Sequence, residues 1–187
     1  MHEYIETIHE HPIIAAVQNR DALESALRLG VPTVFLLNTD IFSAKAFVDM
    51  AADTQTNVFL HMDLIDGLAS GAKALDYVKK RISPSGIIST KSALVKYARE
   101  MGVFSIQRFF MVDSASFDQS VKAAKKTKPS MIELMPGIIP DVISRFTDAV
   151  DVPVIAGGLI DSRKQVISAL GAGAIGISTG ESRLWLE

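Results

Sequence analysis

His61 and Asp63 stand two residues apart in the run Asn57-Val-Phe-Leu-His61-Met-Asp63. In an extended chain, side chains two apart share a face. An imidazole and a carboxylate so placed read as a hydrogen-bonding pair, or as half of a divalent-cation site completed by Asp66 or Glu133. Lys91 follows the apolar run Gly86-Ile-Ile-Ser-Thr90. Its amine suits a Schiff base if desolvation lowers its pKa; it equally suits an anionic ligand or the start of a helix. Arg108, between Ile106 and Phe109-Phe110, and Glu133, between Ile132 and Leu134, are charges set inside apolar runs. Each needs a partner there, and the partner is either the other residue or a ligand. Gly157-Gly158 lets backbone N–H groups approach an anion with no Cβ in the way. Ser178-Thr179-Gly180 offers hydroxyls and further N–H groups.

The elements that must carry these residues follow from the apolar pattern. Eight short runs rich in Val, Ile and Phe recur: Ile13–Val17, Thr33–Leu37, Asn57–Asp63, Gly86–Thr90, Phe104–Val112, Met131–Met135, Pro153–Ala156 and Ala174–Ser178. Each is nearly continuous in hydrophobicity, as expected of strands buried on both faces. Between them lie stretches with helical spacing, among them Asp21–Gly30, Ser92–Gly102 and Ser162–Gly171, each ending on glycine. Alternation of strands and helices implies a parallel sheet. Eight repeats imply a single compact (β/α)8 TIM-type barrel, with a doubly wound open sheet as the alternative. The chain of 187 residues is short for a barrel. It saves length through short loops and a stub, Glu181–Glu187, after the eighth strand; the opening segment, Glu3–Glu10, reads as a short helix closing the bottom.

In such a barrel, ligand chemistry sits at the C-terminal ends of the strands, and phosphate is often held after strands seven and eight. All the residues above fall at those ends, so Gly157, Gly158, Ser178, Thr179 and Gly180 form a predicted phosphate site. His61, Asp63, Lys91, Arg108 and Glu133 form the polar remainder of the mouth. No carboxylate or histidine cluster has the spacing of an all-protein metal motif, so neither metal nor cofactor is expected. Gly171-Ala-Gly173-Ala-Ile-Gly176 matches the dinucleotide fingerprint in letters alone. A helix precedes it and a strand follows, the reverse of what that chemistry requires.

Composition narrows the class further. Hydrophobic residues make up 48% and charged residues 21%, which excludes general disorder. The absence of cysteine excludes disulfides, thiolate metal sites and cysteine nucleophiles. The acidic start lacks the features of a signal peptide, and the charge-free run 165–179 is too short and glycine-interrupted to span a bilayer, so a soluble cytoplasmic protein is expected. Nineteen Lys and Arg against 21 Asp and Glu exclude a strongly basic coat, so any nucleic-acid site is a local patch. Lys122, Lys125 and Lys126, at i, i+3 and i+4 of one helix, are the candidate patch, beside the clusters Lys79-Lys80-Arg81 and Lys96 with Arg99; a solvated helix face is the default explanation of each. Homo-oligomerisation is compatible with the fold, two-fold dimers being the commonest assembly.

The set Asn57-Val-Phe-Leu-His61-Met-Asp63-Leu-Ile-Asp66-Gly67, Gly86-Ile-Ile-Ser-Thr-Lys91-Ser, Gln107-Arg108, Glu133-Leu-Met-Pro136-Gly137 and Ile155-Ala-Gly157-Gly158, in this order, resembles the glycerol-3-phosphate-responsive antiterminators, regulators of bacterial glycerol uptake operons. The resemblance runs from about residue 8 to the C-terminus. It implies a non-enzymatic regulator that senses glycerol-3-phosphate, binds the leader of an operon mRNA and prevents premature termination. The rival class is a barrel enzyme, an aldolase, isomerase or transferase acting on a small phosphorylated substrate, with Lys91 and Glu133 catalytic. A ligand-binding module with a protein partner is a third reading.

Overall fold

A computed structural model describes residues 2–186. Eight parallel strands close into a barrel in chain order: β1 (Ile13–Val17), β2 (Thr33–Leu36), β3 (Asn57–His61), β4 (Gly86–Ser89), β5 (Ser105–Phe110), β6 (Met131–Met135), β7 (Val154–Gly157) and β8 (Gly176–Thr179), with β8 pairing back onto β1. Helices α1 (His2–Glu10), α2 (Arg20–Arg28), α3 (Ala44–Asp49), α4 (Ala72–Tyr77), α5 (Ser92–Glu100), α6 (Ser114–Thr127), α7 (Pro140–Ala149) and α8 (Arg163–Gly171) complete it. The closed barrel, not the open sheet, is the architecture.

The strands are apolar on both sides because each side is buried. Residues facing outward meet the helices in a large apolar cluster. Residues facing inward, among them Ile14, Phe35, Phe59, Ile88, Ile106, Met131 and Ile155, form a second, separate cluster. The opening segment is helical and plugs this interior from below. Ile8 of α1 is fully buried, and the Tyr4 ring stands edge-on to Phe59 and Phe104 at 5.6 and 5.2 Å. The plug is possible because Gly176 lacks a Cβ, which would sit 2.6 Å from Ile8.

The period of two then decides the chemistry of the mouth. Two residues above Phe59, Ile106, Met131 and Ile155, on the same inner side, come His61, Arg108, Glu133 and Gly157. The interior is therefore apolar at the bottom and charged at the top.

Differences from the sequence pattern are local. The third strand ends at His61, and a 3-10 turn, Met62–Leu64, carries Asp63 off its line. The fifth spans Ser105–Phe110 rather than reaching Val112. The loops after β2 and β3 pair with each other, Thr39–Asp40 against Ile65–Asp66, in a small parallel ladder at the mouth. After β8 the described residues form a 3-10 turn, Ser182–Leu184. Trp185 packs back on the barrel, its indole N–H donating to the Thr179 carbonyl at 2.9 Å.

Candidate functional site at the barrel mouth

Arg108 and Glu133 are register partners on β5 and β6, so their side chains emerge side by side into the barrel. The Arg108 Nε lies 2.6 Å from Glu133 Oε2, in an ion pair with 7% and 0% of its side chains exposed. The other carboxylate oxygen accepts from the Ser178 hydroxyl at 2.6 Å. Ser178 sits on β8, so this bond crosses β7, and Gly157 on β7 is what lets it cross. A Cβ on Gly157 would lie 2.5 Å from Glu133 Oε1 and 2.7 Å from Ser178 Oγ. Glu133 is thus satisfied on both oxygens by the protein. Arg108 is not: its Nη2 is buried and has no hydrogen-bond partner. A buried charged donor left open is costly unless something else completes it.

Arg108 lines a cavity of about 190 Å³ at the mouth, with Gln18, Leu37, Met135, the stretch 158–160 and the stretch 178–180. The loop after β7 holds two consecutive residues in left-handed conformation, Gly158 at φ +78° and Leu159 at φ +61°. For leucine that conformation costs roughly 1–2 kcal/mol. Strain of this kind concentrates at ligand-binding loops. The Thr179 hydroxyl donates to the Ile160 carbonyl at 2.7 Å and so ties the loops after β7 and β8 together.

The structure redistributes the roles read from sequence. Gly157, Gly158, Ser178, Thr179 and Gly180 do converge, but the protons of the Ser178 and Thr179 hydroxyls are already given to Glu133 and Ile160. Any anion held there is left to backbone N–H groups and to Arg108. His61 and Asp63 are not a hydrogen-bonding pair, because the turn at Met62 aims the carboxylate elsewhere. Asp63 accepts from the Ser89 hydroxyl, at 3.0 Å on Oδ1, and from the Thr90 N–H and hydroxyl, at 2.7 and 3.0 Å. Burial alone would raise its pKa; these donors from Thr90 and Ser89 outweigh burial and hold it below the ordinary carboxylate value. Asp63 thereby clamps the loop that leads to Lys91. Lys91 itself is exposed at the start of α5, without the desolvation a Schiff-base lysine needs. Lys122, Lys125 and Lys126 are exposed on α6, in the outer ring of helices. Among the described residues, no three His, Asp or Glu side chains gather in a metal-ligating group.

Gln18, Leu37, Met135 and Leu159 line the cavity without having been singled out from sequence. Gln18, a polar residue directly after β1, carried the same strand-end signal as the others. The three apolar residues carried none.

His61 is 2% exposed, and its Nδ1 has no partner. Burial, and then the positive charge of Arg108, push its pKa from 6.5 down to about 4, against the opposing pull of Asp63. The imidazole is therefore neutral at physiological pH. Because the folded value lies below the unfolded one, the unfolded chain takes up the proton first as pH falls. Stability from neutral His61 is complete above pH 6.5, declines as pH falls below it, and is lost by about pH 4, a total of roughly 3 kcal/mol. Urea unfolding between pH 7 and 4 is expected to show this slope in the native protein and a shallower one in His61→Gln.

The comparisons with known proteins concern this same scaffold. The sequence profile of the glycerol-3-phosphate responsive antiterminator family matches residues 13–185. The Escherichia coli protein YgcP is 32% identical over 178 residues, 95% of this chain and 93% of YgcP. The crystal structure of the glycerol uptake operon antiterminator regulatory protein of Listeria monocytogenes superposes with a TM-score of 0.90 at 37% identity, over 93% of this chain and 94% of that one. That of a glycerol uptake operon antiterminator-related protein of Thermotoga maritima gives 0.85 at 29% identity, over 94% and 98%. A barrel whose charged upper layer is built from the matched segment, with this profile across nearly its whole length, belongs to the glycerol-3-phosphate responsive antiterminator family.

Proposed function

We propose that the chain is a sensor of glycerol-3-phosphate that binds the leader mRNA of glycerol-utilisation operons in the cytoplasm and prevents premature termination. The observation that carries the ligand half is the unpartnered, buried Nη2 of Arg108, a residue that lines the mouth cavity. A cavity of about 190 Å³ is smaller than the ~300–1,000 Å³ that hold drug-sized ligands, and suits a small metabolite. The phosphate takes the loops after β7 and β8 together with Arg108, and the glycerol hydroxyls face Gln18. Charge-assisted bonds from a guanidinium to a phosphate are among the strongest available. The ligand controls RNA affinity only to the extent that it binds the two conformers of the protein differently. The exposure of Lys91 and the internal satisfaction of Glu133 weigh against the enzyme reading, which needs both as reacting groups.

Phosphorus NMR of glycerol-3-phosphate mixed with the purified protein tests this. A shifted or broadened resonance with no new peak over hours is the expected result. A new phosphorus peak would establish turnover and overturn the sensor reading. An unchanged resonance would remove the ligand.

A further inference from the structure

The charge of this chain is divided in space. Residues 72–128 hold 12 Lys and Arg against 4 Asp and Glu, while the rest of the chain holds 7 against 17. Residues 72–128 are the α4–β4–α5–β5–α6 part of the barrel, and α4, α5 and α6 are neighbours in the outer ring. Seven of these twelve cations gather at the C-terminal ends of these helices, immediately before β4, β5 and β6. Lys79, Lys80 and Arg81 lie in the π-turn Val78–Ile82 that follows α4. Arg99 is in the last turn of α5, and Lys125 and Lys126 are in the last turn of α6, with Lys128 as its cap. All are exposed. Hydrogen bonds show that the three ends form one row: Lys79 Nζ donates to the Met101 carbonyl after α5 at 2.7 Å, and Arg99 Nη1 donates to the Thr127 carbonyl of α6 at 3.3 Å.

Because these ends precede the strands, the row lies on the rim opposite the ligand mouth. We propose that this basic rim, the ends of α4, α5 and α6 together, is the surface that holds RNA. The proposal rests on the RNA-binding reading above and gives it a place. It extends well beyond the lysines of α6, and it sets ligand and RNA at opposite ends of the barrel, so that they do not compete for one site.

The chemistry of the rim favours RNA. Lysines spaced along three helix ends track a phosphate backbone. The exposed ring of Tyr77 on α4 (38%) supplies a stacking face beside them. A recess of about 380 Å³ opens at the foot of the row, lined by Tyr4, Lys79, Ser83, Pro84, Ser85 and Val103, a mixed polar and apolar surface that can take an unstacked base. The exposed acids of α1, Glu3, Glu6 and Glu10, lie on the barrel floor and repel a polyanion from it. An anionic membrane is a poorer fit. Among the described residues the three most exposed large apolar side chains, Phe42, Val112 and Leu159, which would be the first to enter a bilayer, lie on the loops of the opposite face.

The test uses an RNA pool enriched on the wild-type protein in the presence of glycerol-3-phosphate, and follows binding against salt. The variant K80Q/K125Q/K126Q is expected to lose on the order of tenfold or more in affinity, with the salt slope reduced by roughly two. The control R20Q/R28Q/K164Q removes three exposed cations from outside residues 72–128 and is expected to bind as wild type does. Equal binding by wild type and rim variant, or equal losses in both variants, would overturn the rim while RNA binding stands. Failure to enrich any RNA on the wild type would overturn the RNA reading itself, and the rim with it.

Discussion

Arg108→Met is expected to abolish the glycerol-3-phosphate response and, independently, to destabilise the barrel by about 3–5 kcal/mol. The two effects have separate causes. The response is lost because Arg108 lines the mouth cavity and carries a donor that the protein leaves unpartnered. The stability is lost because Glu133, 0% exposed, is deprived of its ion-pair partner and left with Ser178 alone. Breaking a buried pair from one side leaves an uncompensated charge, whereas replacing the whole group by apolar residues is often neutral or stabilising. The triple variant R108M/E133L/S178A removes the charge, its partner and the hydroxyl that would otherwise lose its acceptor. It is expected to recover most of the stability while remaining blind to the ligand. Thermal unfolding and calorimetric titration with glycerol-3-phosphate check the two halves. A triple variant that regained the ligand response would show that Arg108 has no part in binding.

Gly157→Ala is the second large effect. The new methyl group would lie 2.5 Å from Glu133 Oε1 and 2.7 Å from Ser178 Oγ, both at the centre of the buried group. Over-packing a tight interior costs about 1–3 kcal/mol. Losing the Ser178 bond to a charged acceptor adds about 1.5–3 kcal/mol. Urea unfolding is expected to show this loss, and adding Ser178→Ala to relieve one of the two contacts is expected to make the pair non-additive by about 0.5–3 kcal/mol. Strict additivity would mean that β7 moves aside to admit the methyl group, and that Gly157 does not hold the crossing open.

Much of the fold was legible in the sequence because a barrel strand is buried on both faces and writes itself as a short apolar run. The eight runs, the helical stretches between them, the plug formed by the opening segment and the stub after β8 all follow from that pattern. The mouth was legible for a related reason: Arg108 and Glu133 interrupt apolar runs, and charges in such places announce a special environment. The sequence left open whether they meet each other or a ligand. The structure answers that they do meet, through register pairing of β5 with β6, and that the geometry still leaves one guanidinium nitrogen free.

Where the structure shows partners that the sequence did not, a short-range turn or a cross-barrel approach made the difference. A period of two gives Asp63 the same side as His61, but three residues of 3-10 helix turn it toward Ser89 and Thr90. Ser178 and Thr179 look free for an anion until Glu133 and Ile160, 45 and 19 residues away, are seen to take their protons. Gly157 reads as a phosphate-loop glycine, although the space it leaves is used by two side chains from other strands. The basic clusters likewise read as three solvated helix faces. The closed order of the barrel places the ends of α4, α5 and α6 side by side and turns scattered cations into one rim. Burial and periodicity are written locally, so the sequence alone determined the elements and the residues that stand out within them. Partnership depends on which strands and helices become neighbours, and only the tertiary structure decided that.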